Sequence, residues 1–151
     1  EAQVYSAISG ELVIDISQKQ PVLRILSNYG GDFYLDEEGK KLPLSRSYSA
    51  RVLVANGFIS RGMLKDLFLL ATFVNKNKFW KSQIQQIYVD WSGKIRLIPR
   101  VGKHIILFGD FSDMEEKFSK LMTFYKFGLN TIGWDKYSSI NLEYSNHVVC
   151  K

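Results

Sequence analysis

Only two stretches of this chain carry apolar residues at helical spacing, and most of the remainder runs at period two between turn residues. In "MLKDLFLLATFVN", Leu64, Leu67, Phe68, Ala71 and Val74 recur at three and four residues, which places an apolar stripe on one face. Ser60 stands where an N-cap is expected. In the second stretch Met114, Phe118, Leu121, Met122 and Tyr125 share a face. Ser112 and Asp113 precede Glu115 and Glu116 at capping-box spacing, and Gly128 is the expected stop. Two helices set among many strand-like runs specify an α+β domain, richer in strand than helix, on a mixed or antiparallel β-sheet.

Turn chemistry punctuates the strand-like runs. "QVYSAIS" and "ELVIDIS" flank Gly10 and read as a hairpin, and "QKQPVLRILS" continues extended with Pro21 at a corner or edge. "DFYLDEEGKKLPLS" is a second hairpin, turning from Asp36 to Gly39. Val52 to Val54 form a short strand ahead of a turn at Asn56-Gly57. "SQIQQIYVDWSGKIRLIPR" reads as a strand, a turn at Ser92-Gly93 and a partner strand, while "KHIILFGD" is nearly all apolar and therefore central. The final run, "INLEYSNHVV" at 140 to 149, alternates Ile140, Leu142 and Tyr144 with Asn141, Glu143 and Ser145. That is a half-buried strand whose first set faces the core and whose free side can accept a neighbour.

Catalytic chemistry is hard to find. At 151 residues, 46% hydrophobic and 23% charged, the chain is long and apolar enough for one folded domain. The net charge of +5, from 20 Lys and Arg against 15 Asp and Glu, is spread along the chain and forms no nucleic-acid arm. One cysteine, Cys150, excludes an internal disulfide and a multi-cysteine metal site. His104 and His147 fall in different strands without a carboxylate or cysteine at metal-ligand spacing. His147 and Cys150 are three apart on an expected strand, so they point to opposite faces and make no nucleophile-base pair. The carboxylates at 36 to 38 and at 115 and 116 are explained by a turn and a helix start. The expectation is no catalytic residue, no cofactor, no metal and no small-molecule substrate. The chain has no apolar run of about 18 residues and opens without Met inside a strand-like run, which reads as a soluble fragment of a longer product.

Five of these stretches, in order, resemble the extracytoplasmic region of the bacterial cell-division family FtsQ/DivIB. "GELVIDISQKQPVLRI" is similar to the end of that family's POTRA module, and "FYLDEEGKKLPLS" to the hairpin that follows it. "FWKSQIQQIYVD" with "IRLIPRVGKHIILFGD" resembles the central strands, "KFSKLMTFY" the second helix and "INLEYSNHVV" the last strand. The resemblance implies a partial POTRA hairpin at 1 to 22 followed by a β domain at 23 to 151. It implies a non-enzymatic scaffold on the periplasmic side of the inner membrane, anchored by one N-terminal helix absent from this chain. Its implied partners are divisome membrane proteins of the FtsB and FtsL kind, linked in turn to septal peptidoglycan synthesis. A partner strand would add to the last strand by β-augmentation, at Ile140, Asn141, Leu142, Glu143, Tyr144 and Ser145. Two other readings stay open: a POTRA-like transport or outer-membrane assembly module, and a cell-wall enzyme with converging carboxylates or histidines.

Overall fold

The computed structural model describes residues 2–6, 12–16, 18–28, 30–45, 49–145 and 147–151. β1 (Ala2–Ser6) and β2 (Leu12–Ile16) pair antiparallel, as expected for the first hairpin, and Gly10 lies outside the described residues. The other strands are β3 (Pro21–Ile25), β4 (Phe33–Asp36), β5 (Lys41–Pro43), β6 (Leu53–Gly57), β7 (Ile84–Val89), β8 (Ile95–Pro99), β9 (Ile105–Gly109), β10 (Ser139–Asn141) and β11 (Val149–Cys150). They form one nine-stranded sheet in the order β11-β10-β9-β8-β7-β6-β3-β4-β5. β3 begins at Pro21 and runs between β4 and β6, so Pro21 opens an interior strand rather than an edge.

Local chemistry accounts for the mixed pairing. Antiparallel neighbours β4/β5 and β7/β8 are joined by matching turns, Asp36-Glu37-Glu38-Gly39-Lys40 and Asp90-Trp91-Ser92-Gly93-Lys94. In each, the Asp Oδ1 accepts the backbone N–H groups two and four residues on, at 2.8 to 3.0 Å. Gly39 and Gly93 sit at φ 75° and 81°, the left-handed region that a Cβ disfavours. Parallel neighbours need a longer crossover. α1 (Leu64–Lys76) and α2 (Lys78–Gln83) supply it between β6 and β7, and α3 (Met114–Thr123) supplies it between β9 and β10. The result is the expected α+β architecture, a mixed sheet with two main helices.

The helices pack together over one face of the sheet. Phe73 of α1 stacks on Phe118 of α3 at 4.8 Å, and Trp80 of α2 lies 4.9 Å from the same ring. Beneath them Leu23, Ile25, Ile87, Val89, Leu97, Ile106 and Phe108 are buried with the helix residues Leu67, Leu70 and Leu121. Fully burying one such side chain contributes about 1.5–3 kcal/mol.

Four helix details depart from the pattern-based expectation. Ser60 makes no side-chain cap bond, because α1 is entered through a 3-10 turn at Arg61–Met63. Asp113 adopts φ 49°, ψ 36° and also makes no cap bond, while Ser112 is held by Asp110 through its N–H and hydroxyl, so the capping box does not form. Gly128 does not stop the second helix, which continues as a π-helix over Phe124–Leu129 and ends before Gly133. A Cβ on Gly128 would approach the Phe124 ring to 2.8 Å, so the glycine serves this close packing. Finally, residues 78 to 83 are helical, with Asn77 Oδ1 accepting the N–H groups of Phe79 and Trp80, and the strand starts only at Ile84.

Candidate functional site

The sheet ends in two different edges, and the predicted site lies at one of them. Ser139 and Lys151 exchange backbone hydrogen bonds of 3.0 and 3.1 Å, so Ser139 and Asn141 face β11. On its other side β10 runs parallel to β9, with Leu142 N–H donating to Leu107 at 2.9 Å. β10 therefore has neighbours on both sides. The run from 140 to 149, expected as one edge strand, is instead a three-residue strand, a turn and a two-residue return strand. By the alternation of an antiparallel ladder, Val149 faces β10 and Cys150 turns its N–H and C=O outward. The exposed edge is β11.

The six predicted residues do different jobs. Ile140 and Leu142 are fully buried, as the core set requires. Tyr144, expected with them, is 49% exposed and stacks on His147 at 5.0 Å with the rings 12° from parallel. The chain has already left the sheet at that point, so its period-two phase no longer sets the side-chain direction. Asn141 Oδ1 accepts the Glu143 N–H at 2.8 Å and so begins the turn. Glu143 pairs with Lys94 at 3.1 Å across the tip of the β7/β8 hairpin. Ser145 is exposed.

A lysine from α3 fixes this turn. Lys120 Nζ donates to the Tyr144 carbonyl at 2.7 Å and the Ser145 carbonyl at 3.0 Å, and it lies 3.4 Å from Glu116. The adjacent Lys117 is buried and donates to Asp110 Oδ1 at 2.8 Å, which holds that carboxyl well below the usual range. The half-exposed Lys94–Glu143 pair contributes about 0.2–1 kcal/mol. Burial of Leu142, worth about 1.5–3 kcal/mol, is the stronger anchor. Sequence reasoning missed both β11 and the lysine clamp. The Ser-Asn pair at 145 and 146 is the turn signal that divides the run.

The opposite edge, β5, is built otherwise. The Asp36 N–H donates to the Lys40 carbonyl at 2.9 Å, so Lys40 and Leu42 face β4 while Lys41 and Pro43 face out. Pro43 has no N–H to offer, and an outward Lys and Pro are devices that blunt an edge. On β5 the Lys41 N–H remains an outward donor and the next one is lost at Pro43, whereas on β11 the outward donor is that of Cys150.

Among the described residues, the buried titratable groups sit in packing clusters. His104 is buried with Nε2 2.9 Å from the Tyr125 hydroxyl, inside an aromatic cluster with Trp134. Burial lowers the His104 pKa and raises that of Tyr125 well above the ordinary phenol value. Cys150 packs against the core and its thiol is pushed up by burial, whereas His147 stands exposed against Tyr144. No group of three His, Cys, Asp or Glu among the described residues could hold a metal ion, and no described helix is long and apolar enough to cross a membrane.

The family model described as FtsQ/DivIB, C-terminal related, matches residues 20–151, from just before β3 through β11. No curated protein matches the chain.

Proposed function

From the fact that this chain belongs to the FtsQ/DivIB C-terminal related family, whose members are non-enzymatic cell-division scaffolds, we propose that it docks partner division proteins by β-strand addition at the β10–β11 end of its sheet. The partners are membrane proteins of the FtsB and FtsL kind, and the complex links this domain to septal peptidoglycan synthesis. The β1/β2 hairpin is the end of a POTRA module. The whole protein is held at the periplasmic face of the inner membrane by one N-terminal helix.

One observation carries this reading. The sheet is blunted at β5, where Pro43 stands in place of one outward donor beside Lys41, and open at β11, where Cys150 turns its N–H and C=O outward. An incoming strand pairs with the outer side of β11. Ile140 and Leu142 hold the edge in place from the core, and the exposed Glu143, Tyr144 and Ser145 meet the partner's side chains beside it.

The test is titration of an FtsB-like strand peptide against the wild type and Cys150→Pro, followed by fluorescence anisotropy. Proline at 150 removes the outward donor but none of the Ser139–Lys151 bonds. Binding is expected to weaken about tenfold, the loss of about 1.4 kcal/mol. Unchanged affinity in a variant with wild-type circular dichroism overturns the edge assignment.

A further inference from the structure

At the far end of the sheet from β11, a groove of about 700 Å³ opens between β3–β5 and the chain leading into α1. Its floor is apolar, built from Ile25, Phe33, Ile59 and Leu64, and Phe58 at its lip is 50% exposed. A large aromatic left in solvent beside an apolar floor is the usual mark of an interaction surface. The rim is positive. Lys41 Nζ is held 4.5 Å over the Phe33 ring, and Arg61 is exposed at the first turn before α1. Neither has an ion-pair partner among the described residues. Asp32, a carboxylate on the same wall, is already occupied by Arg24 at 3.5 Å and by the Ser27 N–H at 3.3 Å.

We propose that this groove docks an extended acidic polypeptide segment from a partner protein. Apolar side chains of the segment seat against Phe33, Phe58 and Leu64, and its carboxylates meet Lys41 and Arg61. The missing donor at Pro43 makes simple strand addition unfavourable here, so recognition falls to side chains. Charge selects the occupant. A second copy of this chain carries the same +5 net charge and is disfavoured, and a concave floor fits side chains of a single strand better than a flat lipid surface. This site is independent of the β11 edge and does not rest on that reading.

The experiment uses the whole chain and a fluorescein-labelled decapeptide of alternating aspartate and leucine, with a lysine-for-aspartate peptide as comparison. The acidic peptide is expected to bind, to shift the amide resonances of Phe58 and Leu64, and to bind equally well to Cys150→Pro. Combined Lys41→Glu and Arg61→Glu is expected to weaken it about tenfold. Phe58→Ser, which changes an exposed side chain, is expected to weaken it by a smaller factor. Equal binding of the basic peptide, or indifference to the charge reversal, overturns the proposal. So does occupation of the groove by phosphatidylglycerol vesicles or by a second copy of the chain in place of the peptide.

Discussion

At one end of the sheet β5 turns Lys41 and Pro43 outward; at the other, β11 turns out Cys150. Both ends are hairpin returns of two or three residues, so length does not distinguish them. Their chemistry does. β5 is joined to β4 by a tight turn in which Asp36 accepts two backbone N–H groups, and its edge lacks a donor at Pro43. β11 is joined to β10 by a longer turn, pinned from outside by Lys120 and from inside by Leu142. A sheet with one blunted and one open edge can add a strand in one place without polymerising through both.

The largest expected effect tests how much core lies beneath each edge. Ile140→Ala should cost about 2–5 kcal/mol in urea unfolding, because Ile140 is fully buried in a three-residue strand. Leu42→Ala, at a half-buried position of β5, should cost about 1 kcal/mol. Equal losses would mean that the two edges are anchored alike. Next comes the reverse of the blocking experiment. Pro43→Val restores the missing donor to β5 and should raise self-association by about tenfold in sedimentation velocity. A strictly monomeric variant would show that proline is not what keeps this edge unpaired.

How much of this contrast could be read in advance depended on whether a signal was local. The Asp36–Gly39 and Ser92-Gly93 turns, the apolar face of α1 and the burial of Ile140 and Leu142 follow from residues a few positions apart, and the structure has them as read. The β10/β11 return was hidden because Tyr144 happens to continue the period-two phase set by Ile140 and Leu142. Alternation cannot report that the backbone has already turned. The Lys120 clamp joins residues 24 and 25 positions apart, and no spacing rule reaches across that distance. The π-helix through Gly128 was likewise invisible, since a glycine near a helix end reads first as a stop.

The two ends should also differ in acid. His104 lies directly before β9, the strand that supports β10, and burial sets its pKa below the usual 6.5. The unfolded chain therefore binds this proton first. Stability from a neutral His104 is complete above pH 6.5 and is lost as pH falls from there toward the lowered folded value, by no more than about 1.4 kcal/mol per unit. At the β5 end Asp36 behaves in the same sense but in a lower pH window. Burial would raise its pKa, but hydrogen bonds from the Lys40 and Glu38 N–H groups and the contact with Lys19 together lower it from 3.8. Its contribution persists above that value and is lost only as pH falls through the lowered one. Amide protection, measured against the intrinsic exchange rate, should therefore fall between pH 7 and 5 around β9 and β10 before β4 and β5. His104→Gln should remove that order, and simultaneous loosening of both ends in the wild type would remove its basis.

The smallest expected effect concerns the turn itself. Lys120→Ala deletes two hydrogen bonds to carbonyls in an exposed loop, where water can replace them, so the cost to global stability should be about 1 kcal/mol or less. The local effect should be larger than the global one. With Tyr144 and Ser145 released, residues 143 to 150 remain tied by Leu142 at one end and the short β11 ladder at the other. Amide exchange of Val149 and Lys151 should then rise about tenfold, the counterpart of about 1.4 kcal/mol of local opening, while β4 and β5 keep wild-type protection. If β11 stays protected, its ladder alone holds the edge, and the lysine serves only the turn. If β11 opens, the edge proposed for docking is a strand that α3 keeps in place, whereas β5 stays in place through its own turn.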